Sequence, residues 1–169
     1  MLTRTKAPLF LCAALTFANV AFASEAGDAR RAIENAYKRT DAAVARRDSK
    51  TILSYMKPGY HITMLGRTWS KSRVSRNMNE LFSNAKTLQT KTSIRSFILR
   101  RGKATVVAQE LGQITAVSQR THELNLIKTN SIFEEVWVEE KGQWLKQRTT
   151  NLRIQETFNG KSIKPVVAK

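Results

Sequence analysis

A single carboxylate, Glu110, stands in an otherwise uncharged row of residues on a predicted strand at residues 103–118. Every second side chain of a strand points to the same face. The other even positions are small or apolar: Ala104, Val106, Ala108, Gly112, Ile114 and Ala116. Burial of a carboxylate raises its pKa unless a cation pairs with it. We expect Glu110 to be an acid, a base or a ligand anchor, or alternatively to form an internal ion pair with Arg95 or Arg148.

Four other side chains have chemistry that suits a binding or catalytic site. Histidine titrates near neutrality, so His61 on a short predicted strand is a candidate general base; the alternative is a half-exposed residue that only forms hydrogen bonds. Tyr37 lies on the apolar side of the first predicted helix, where its hydroxyl needs a partner. Tyr60 and Trp69 are candidate ligand-binding residues, and packing in the core is the alternative for Trp69.

The sequence predicts neither a metal site nor a cofactor. It contains two histidines and one cysteine, and no pair of residues has the spacing of a zinc site. It also lacks the glycine-rich phosphate-binding motifs and the G-x-S-x-G motif that carries a nucleophilic serine. Chemistry, if present, must therefore come from the side chains named above.

The elements that position these residues are helices first and strands afterwards. Helical spacing of apolar residues predicts a first helix over 26–47, and Asp48 is a suitable N-cap for a second, Ser49 to Met56. Pro58-Gly59 should end it, before a strand from Tyr60 to Leu65. A third helix should follow Ser70 and run from Lys71 to about Ala85.

Four extended segments follow, near 91–100, 103–118, 122–139 and 143–157. Arg101-Gly102 and Lys141-Gly142 have the composition of tight hairpin turns, because glycine tolerates positive φ. Strands this long cannot stay flat over a small core, so we expect bulges or bends at Gly112 and at residues 128–130. The pattern predicts an α+β domain, with a curved antiparallel sheet wrapped around the N-terminal helices.

The first 23 residues have the pattern of a secretory signal peptide. Arg4 and Lys6 precede an uncharged run at 7–22, and Ala21-Phe22-Ala23 is a small-x-small cleavage site. A membrane anchor is the alternative, but the run is shorter than the roughly 20 residues that a spanning helix needs. We expect a periplasmic or secreted protein with one domain over 24–157 and a flexible basic tail at 158–169.

The charge balance is strongly basic, with 29 Lys and Arg against 13 Asp and Glu and a net charge of +16. Such a surface attracts anionic partners. No nucleic-acid-binding motif is present, and export would separate the protein from most nucleic acid, so nucleic acid is not the expected partner. Two interpretations stay open: a solvated basic surface, or attraction to an anionic surface of the cell envelope.

Local motifs along nearly all of residues 24–157 resemble the nuclear-transport-factor-two-like superfamily, specifically its SnoaL-like bacterial members. They are Ala32-Ile33 through Tyr37, Arg47-Asp48, Pro58-Gly59-Tyr60, Gly66 to Ser70, and the stretch FEEVWVEEKGQW at 133–144. The resemblance implies a cone-shaped fold, also described as a cystatin-like α+β roll. It further implies a pocket between sheet and helices, and homodimers through the sheet.

The resemblance defines a fold rather than an activity, because this family contains both enzymes and binding proteins. Its isomerases place a tyrosine, a base and an acid where Tyr37, His61 and Glu110 stand, but they usually have a carboxylate at the position of His61. We therefore expect binding of a small, partly apolar molecule in the cone. The alternatives are an isomerase or dehydratase that transfers a proton, and a basic, non-enzymatic interaction module.

Overall fold

The computed structural model describes residues 11–118 and 122–163, with side chains from Ser24 onward. Its helices are α1 (Leu11–Ala45), α2 (Ser49–Ser54) and α3 (Lys71–Asn84). The predicted N-caps are confirmed, since the Asp48 carboxylate accepts a hydrogen bond from the Thr51 N–H at 3.0 Å, and Ser70 Oγ accepts one from the Arg73 N–H at 3.4 Å. No helix among the described residues is long and apolar enough to cross a membrane.

One mixed sheet contains all the strands of the described chain. In sequence order they are β1 (Met56–Met64), β2 (Arg67–Ser70), β3 (Ala85–Arg100), β4 (Lys103–Val117), β5 (Leu124–Glu140), β6 (Gln143–Phe158) and β7 (Lys161–Ile163). Their spatial order is β2-β1-β6-β5-β4-β3, and β7 pairs with β6. Only the β1–β6 pair is parallel. The predicted α+β fold with a curved, mostly antiparallel sheet is confirmed.

The two predicted glycine turns are confirmed. Arg101-Gly102 and Lys141-Gly142 connect neighbouring strands, and all four residues have positive φ. The short strands β2 and β7 were missed, because each has fewer residues than a clear alternation requires. Residues 161–163 of the predicted tail thus form a strand, while residues 164–169 and the predicted loop at 119–121 lie outside the described residues.

Of the bulges or bends predicted at Gly112 and residues 128–130, the bulges are wrong, whereas bends there stay a prediction. Gly112 pairs with Thr129 inside an uninterrupted β4–β5 register, and the register shifts occur in the β3–β4 and β5–β6 pairs. The position has no room for a side chain, because a Cβ on residue 112 would clash with Thr129 Oγ1. Pro58-Gly59 lies inside β1 rather than before it, at a register shift in the β1–β6 pair.

The core joins α1 to the concave face of the sheet. The buried apolar residues of α1 lie at helical spacing: Ala29, Ile33, Ala36, Tyr37 and Ala43. All of them except Ala43 pack on the small even-numbered residues of β4, among them Ala104 and Ala108, and on Trp137 and Trp144. A second cluster, with Ile52, Tyr60 and Phe82, packs under α2 and α3. A cavity remains between the two clusters.

Candidate functional site

The cavity inside the cone has two connected parts. The part next to α1, called the inner chamber here, has a volume of about 230 Å³. The part next to α3, called the outer chamber, has a volume of about 380 Å³. Six residues line both chambers: Val44, Ile52, Ile62, Val74, Thr90 and Glu110. Glu110 is the charged residue at their junction.

A larger recess of about 650 Å³ is lined by residues of β3 to β7 and borders the outer chamber, with which it shares Gln89, Thr90, Gly112 and Thr129. Its lining is mostly of polar, solvent-facing side chains such as Gln113, Lys128 and Gln155, and no titratable group with a shifted pKa lies in it. Such a lining lacks the convergent buried polar groups that characterise a ligand site. The cone cavity is therefore the candidate functional site.

Glu135 is the centre of the polar network in the inner chamber. Its Oε2 accepts hydrogen bonds from Tyr37 Oη at 2.5 Å and from Trp137 Nε1 at 3.0 Å. Its Oε1 accepts from Lys146 Nζ at 2.9 Å and from Thr149 Oγ1 at 3.3 Å. Only 4% of Glu135 is exposed. Four donors, one of them the Lys146 cation, compensate the burial of this carboxylate, so both of its oxygens are already hydrogen-bonded within the protein.

Lys146 is the cation of this network. Its Nζ also lies 5.2 Å from the centroid of the Tyr37 ring and 5.1 Å from that of Trp137. Burial alone lowers the pKa of a lysine, but the attraction of Glu135, with smaller contributions from Tyr60 and Glu110, raises the Lys146 pKa above its ordinary value. Lys146 therefore stays charged and bound to Glu135.

The two tyrosines of the inner chamber are held as neutral hydrogen-bond donors. Burial raises the pKa of Tyr37 well above its ordinary value, and the adjacent Glu135 carboxylate raises it further. Burial also raises the pKa of Tyr60, whose hydroxyl donates to Thr149 Oγ1 at 2.9 Å. Both hydroxyl protons are thus committed to protein acceptors.

Glu110 differs from every other charged group in the cavity. The residue keeps some accessible surface because it lines both chambers, although it lies deep in the molecule. Among the described residues its carboxyl makes no hydrogen bond, and the charges that act on it are those of Lys146, Asp41 and Glu135. Burial raises its pKa from 4.5 to about 7, and Lys146 opposes this while the two carboxylates add to it. Glu110 is therefore an acid poised to exchange a proton near neutral pH.

Asp41 connects α1 to β3 at the wall of the inner chamber. Its carboxylate accepts hydrogen bonds from Thr90 Oγ1 at 2.8 Å, the Thr92 N–H at 2.8 Å and Thr92 Oγ1 at 2.9 Å. β3 lies at the edge of the sheet, so this carboxylate from α1 satisfies a backbone donor that no strand covers. Asp41 anchors α1 to the edge strand while one side of it borders the inner chamber.

Four of the five predicted site residues lie on the cavity walls. Tyr37 and Tyr60 border the inner chamber, Glu110 borders both chambers, and Trp69 borders the outer one. The Trp69 indole N–H has no hydrogen-bond partner among the described residues, and the Arg73 guanidinium lies 5.5 Å from the ring centroid. The ligand-binding and catalytic roles predicted for these residues stay predictions.

His61 does not meet the others in the cavity. Its neighbours Tyr60 and Ile62 line the inner chamber, whereas His61 is absent from the lining of either chamber and pairs with Arg148 in the sheet. The convergence that a His61–Glu110 pair requires is thus not present. The alternative ion pairs of Glu110 are also wrong, because Arg95 donates to Gln109 and Arg148 pairs with Glu134, both outside the cavity.

The sequence interpretation missed three of the four charged groups that line the cavity. Glu135 and Trp137 alternate on one face of β5, and this spacing was a usable signal for an inward carboxylate. Lys146 had none, because a register shift between Val136 and Trp137 changes which residues of β6 face inward. Asp41 gave no signal either, since an acid at the border of a helix's apolar side is common. No group of His, Cys, Asp or Glu that could hold a metal occurs in the described part of the chain.

Comparison with known proteins gives similarity in structure without similarity in sequence. No family model and no curated protein sequence matches the chain. Among solved structures, a candidate scytalone dehydratase from Novosphingobium aromaticivorans has a TM-score of 0.66 at 12% identity, over 83% of this chain and 94% of that one. LinA has a TM-score of 0.63 at 16% identity, over 82% of this chain and 92% of that one.

A conserved protein from Planctomyces limnophilus gives a TM-score of 0.65 at 12% identity, over 74% of this chain and 95% of that one. Identities this low establish the fold and not the activity. The agreement extends over nearly the whole length of each of these chains, so it concerns the complete domain. The chain therefore shares the fold of these proteins, and the predicted α+β fold, with a curved sheet wrapped around N-terminal helices, is confirmed.

Proposed function

We propose that this protein binds a small, partly apolar molecule in the cone cavity, with Glu110 as the polar anchor. The observation that carries the proposal is the Glu110 carboxyl, which is deep in the molecule, lines both chambers and makes no hydrogen bond within the described structure. A buried carboxyl without a hydrogen-bond partner lowers the stability of the folded protein. A ligand group that hydrogen-bonds to this carboxyl therefore stabilises the folded state. A ligand in the cavity supplies that partner.

The outer chamber accounts for the apolar part of the ligand. Apart from Glu110 its lining is uncharged, and it is rich in large apolar side chains: Met64, Trp69, Met78, Leu81, Phe82, Leu88 and Ile114. Methionine side chains adapt to irregular ligand shapes. A volume of about 380 Å³ accepts a small molecule with one or two rings. The ligand body is therefore apolar and its head reaches Glu110.

Binding of a neutral fluorescent probe tests this proposal. N-phenyl-1-naphthylamine becomes bright when it enters an apolar cavity, so titration of the purified protein should give a saturable rise in fluorescence. Ile114→Trp places a bulky ring in the outer chamber, and we expect it to weaken binding at least about tenfold, because the ring occupies the volume that the probe needs.

The matched control is Leu111→Trp on the same strand. Leu111 is 49% exposed and lies on the opposite face, so the same substitution there should leave probe binding unchanged. Circular dichroism checks that both variants are folded. Equal probe affinity in the two variants, or no saturable binding by the unmodified protein, contradicts the proposal.

Proton transfer, as in an isomerase or dehydratase, is the second candidate function. A pKa of about 7 suits a general base at neutral pH, and Glu110 has this value inside a largely apolar cavity. One structural neighbour is described as a hexachlorocyclohexane dehydrochlorinase, an enzyme of elimination chemistry. We place Glu110 in the role of base, without His61, because His61 lies outside the cavity.

The Kemp elimination of 5-nitrobenzisoxazole measures this base strength directly. The Glu110 carboxylate takes the C–H proton, the C–H electron pair forms the nitrile, and the N–O bond breaks, so that the ring opens to a single coloured product, 2-cyano-4-nitrophenolate. We expect a rate that rises with pH to a plateau above an inflection near 7 and that Glu110→Gln abolishes. If His61→Gln abolishes the reaction while Glu110→Gln keeps its rate, the assignment of Glu110 as the base is contradicted.

Export, a homodimer and an envelope partner complete the proposed function. Cleavage after Ala23 keeps the buried residues that the structure describes in α1, Ala29 to Ala43, in the mature chain. Mass spectrometry of protein from the producing cells should therefore find Ser24 as the first residue.

A dimer through the outer sheet face, which exposes Leu111, Val117 and Leu124, should double the mass measured by light scattering. Binding to anionic vesicles that weakens steeply with salt supports the envelope partner.

A further inference from the structure

The charge of the cone cavity is opposite to that of the protein. Among the residues that the structure describes, one Lys or Arg, Lys146, lines the two chambers, in a chain that contains 29 of them. Of 13 Asp and Glu residues, three line them: Asp41, Glu110 and Glu135. In a chain with more than twice as many cations as anions, this distribution makes the cavity an acidic site inside a basic molecule.

Hydrogen bonding decides which of these charges a ligand meets. Lys146 is bound to Glu135, so the pair is neutral as a unit. Asp41 is held by three donors from Thr90 and Thr92 but keeps its negative charge. Glu110 has no donor at all among the described residues. Glu110 and Asp41 thus offer an incoming head group two carboxylates, while the remaining charges that face Glu110, those of Glu135 and Lys146, are paired with each other.

We infer that the ligand of this cavity is an amphiphile with a cationic amine head, which binds Glu110 while its apolar body occupies the outer chamber. The inference rests on the proposed ligand-binding function and specifies the class of ligand. Hydrogen bonds between an ammonium group and a carboxylate are roughly twice as strong as neutral ones, and a site with low dielectric strengthens them.

The same arrangement excludes an anionic ligand. A carboxylate head would meet the negative charges of Asp41 and Glu110, and the one cation of the described lining, Lys146, is already paired with Glu135, so an anion could draw Lys146 closer only by weakening that pair. Breaking such a buried pair is strongly unfavourable. A neutral alcohol head is tolerated, since it donates one hydrogen bond to Glu110, but it forgoes the attraction between opposite charges.

Three compounds with one body and different heads test the inference. They are 2-phenylethylamine, 2-phenylethanol and 3-phenylpropionate, titrated into the purified protein by isothermal calorimetry at pH 8, where Glu110 is mostly ionised. We expect the amine to bind at least about tenfold more tightly than the alcohol, and the carboxylate to bind most weakly. The affinity of the amine should fall as the pH drops below 7, because Glu110 then takes up a proton; that of the alcohol should change little.

Two variants separate the role of Glu110 from the general charge of the protein. Glu110→Gln should abolish the preference for the amine while the alcohol still binds. Glu134→Gln removes an exposed carboxylate paired with Arg148 on the other face, and it should keep the preference. Binding of alcohol or carboxylate as tight as that of amine overturns this inference and leaves the proposed function intact. Binding of none of the three compounds overturns both.

Discussion

Lys146 Nζ lies 2.9 Å from Glu135 Oε1, and both side chains are almost completely buried. This ion pair divides the charged groups of the cavity into two kinds. Glu135 and Lys146 satisfy one another and belong to the structure, whereas Glu110 is left for a ligand or a proton. A site with one satisfied carboxylate and one unsatisfied one gives the two acids different functions through their surroundings alone.

The first prediction concerns the stability of this pair. Glu135→Gln removes the charge that compensates Lys146 and leaves a buried ammonium group unpaired. We expect the free energy of unfolding to fall by about 3–5 kcal/mol, measured by urea denaturation. Glu134→Gln is the control, because its pair with Arg148 at 3.5 Å is exposed and contributes about 0–1 kcal/mol. Equal losses in the two variants would show that Lys146 does not depend on Glu135.

The second prediction concerns the pH dependence of stability. Glu110 has a pKa of about 7 in the folded protein against 4.5 for an ordinary glutamate. Between these values the folded state binds the proton more tightly than the unfolded state does. The stability contributed by this group therefore falls as the pH rises from 4.5 to 7, and the penalty is complete above 7, at about 3 kcal/mol as an upper value.

Glu110→Gln removes this titration. The difference in unfolding free energy between the variant and the unmodified protein should increase from pH 4.5 to 7 in favour of the variant and then stay constant. Urea denaturation at several pH values measures it, with Glu134→Gln as the carboxylate that lies outside the cavity. Parallel stability curves for Glu110→Gln and the unmodified protein would refute a raised pKa at Glu110.

Local patterns in the sequence were enough to place Glu110. Its strand carries an unbroken register with β5, so simple alternation along β4 identified the inward face correctly. The same reasoning failed at Lys146, because β6 shifts register beside Trp137 and a bulge cannot be read from alternation. It was also insufficient for His61, whose orientation depends on the irregular pairing of β1 with β6.

The third prediction concerns the anchoring of the sheet edge by Asp41. Asp41→Ala leaves the Thr92 N–H without its acceptor and removes two further hydrogen bonds from threonine hydroxyls. We expect a loss of about 2–3 kcal/mol in unfolding free energy. Amide hydrogen exchange should show faster exchange of Thr92 in particular, because its donor becomes free at an edge strand. Asp28→Ala, in an exposed pair with Arg31 on the same helix, should change neither quantity.

The fourth prediction concerns the contact between Gly112 and Thr129. The outer chamber is bordered by both residues, and a Cβ on residue 112 would overlap Thr129 Oγ1. Threonine is stiff about χ1, so its side chain cannot turn away freely. We expect Gly112→Ala to lower the unfolding free energy by about 1–3 kcal/mol. Thr129→Ala removes the overlapping oxygen, so the double variant should be more stable than the sum of the two single changes predicts, with a coupling of about 1 kcal/mol or more. Thermal and urea denaturation of the four proteins gives this coupling. Additive losses would mean that the glycine is required for some reason other than the space taken by Thr129.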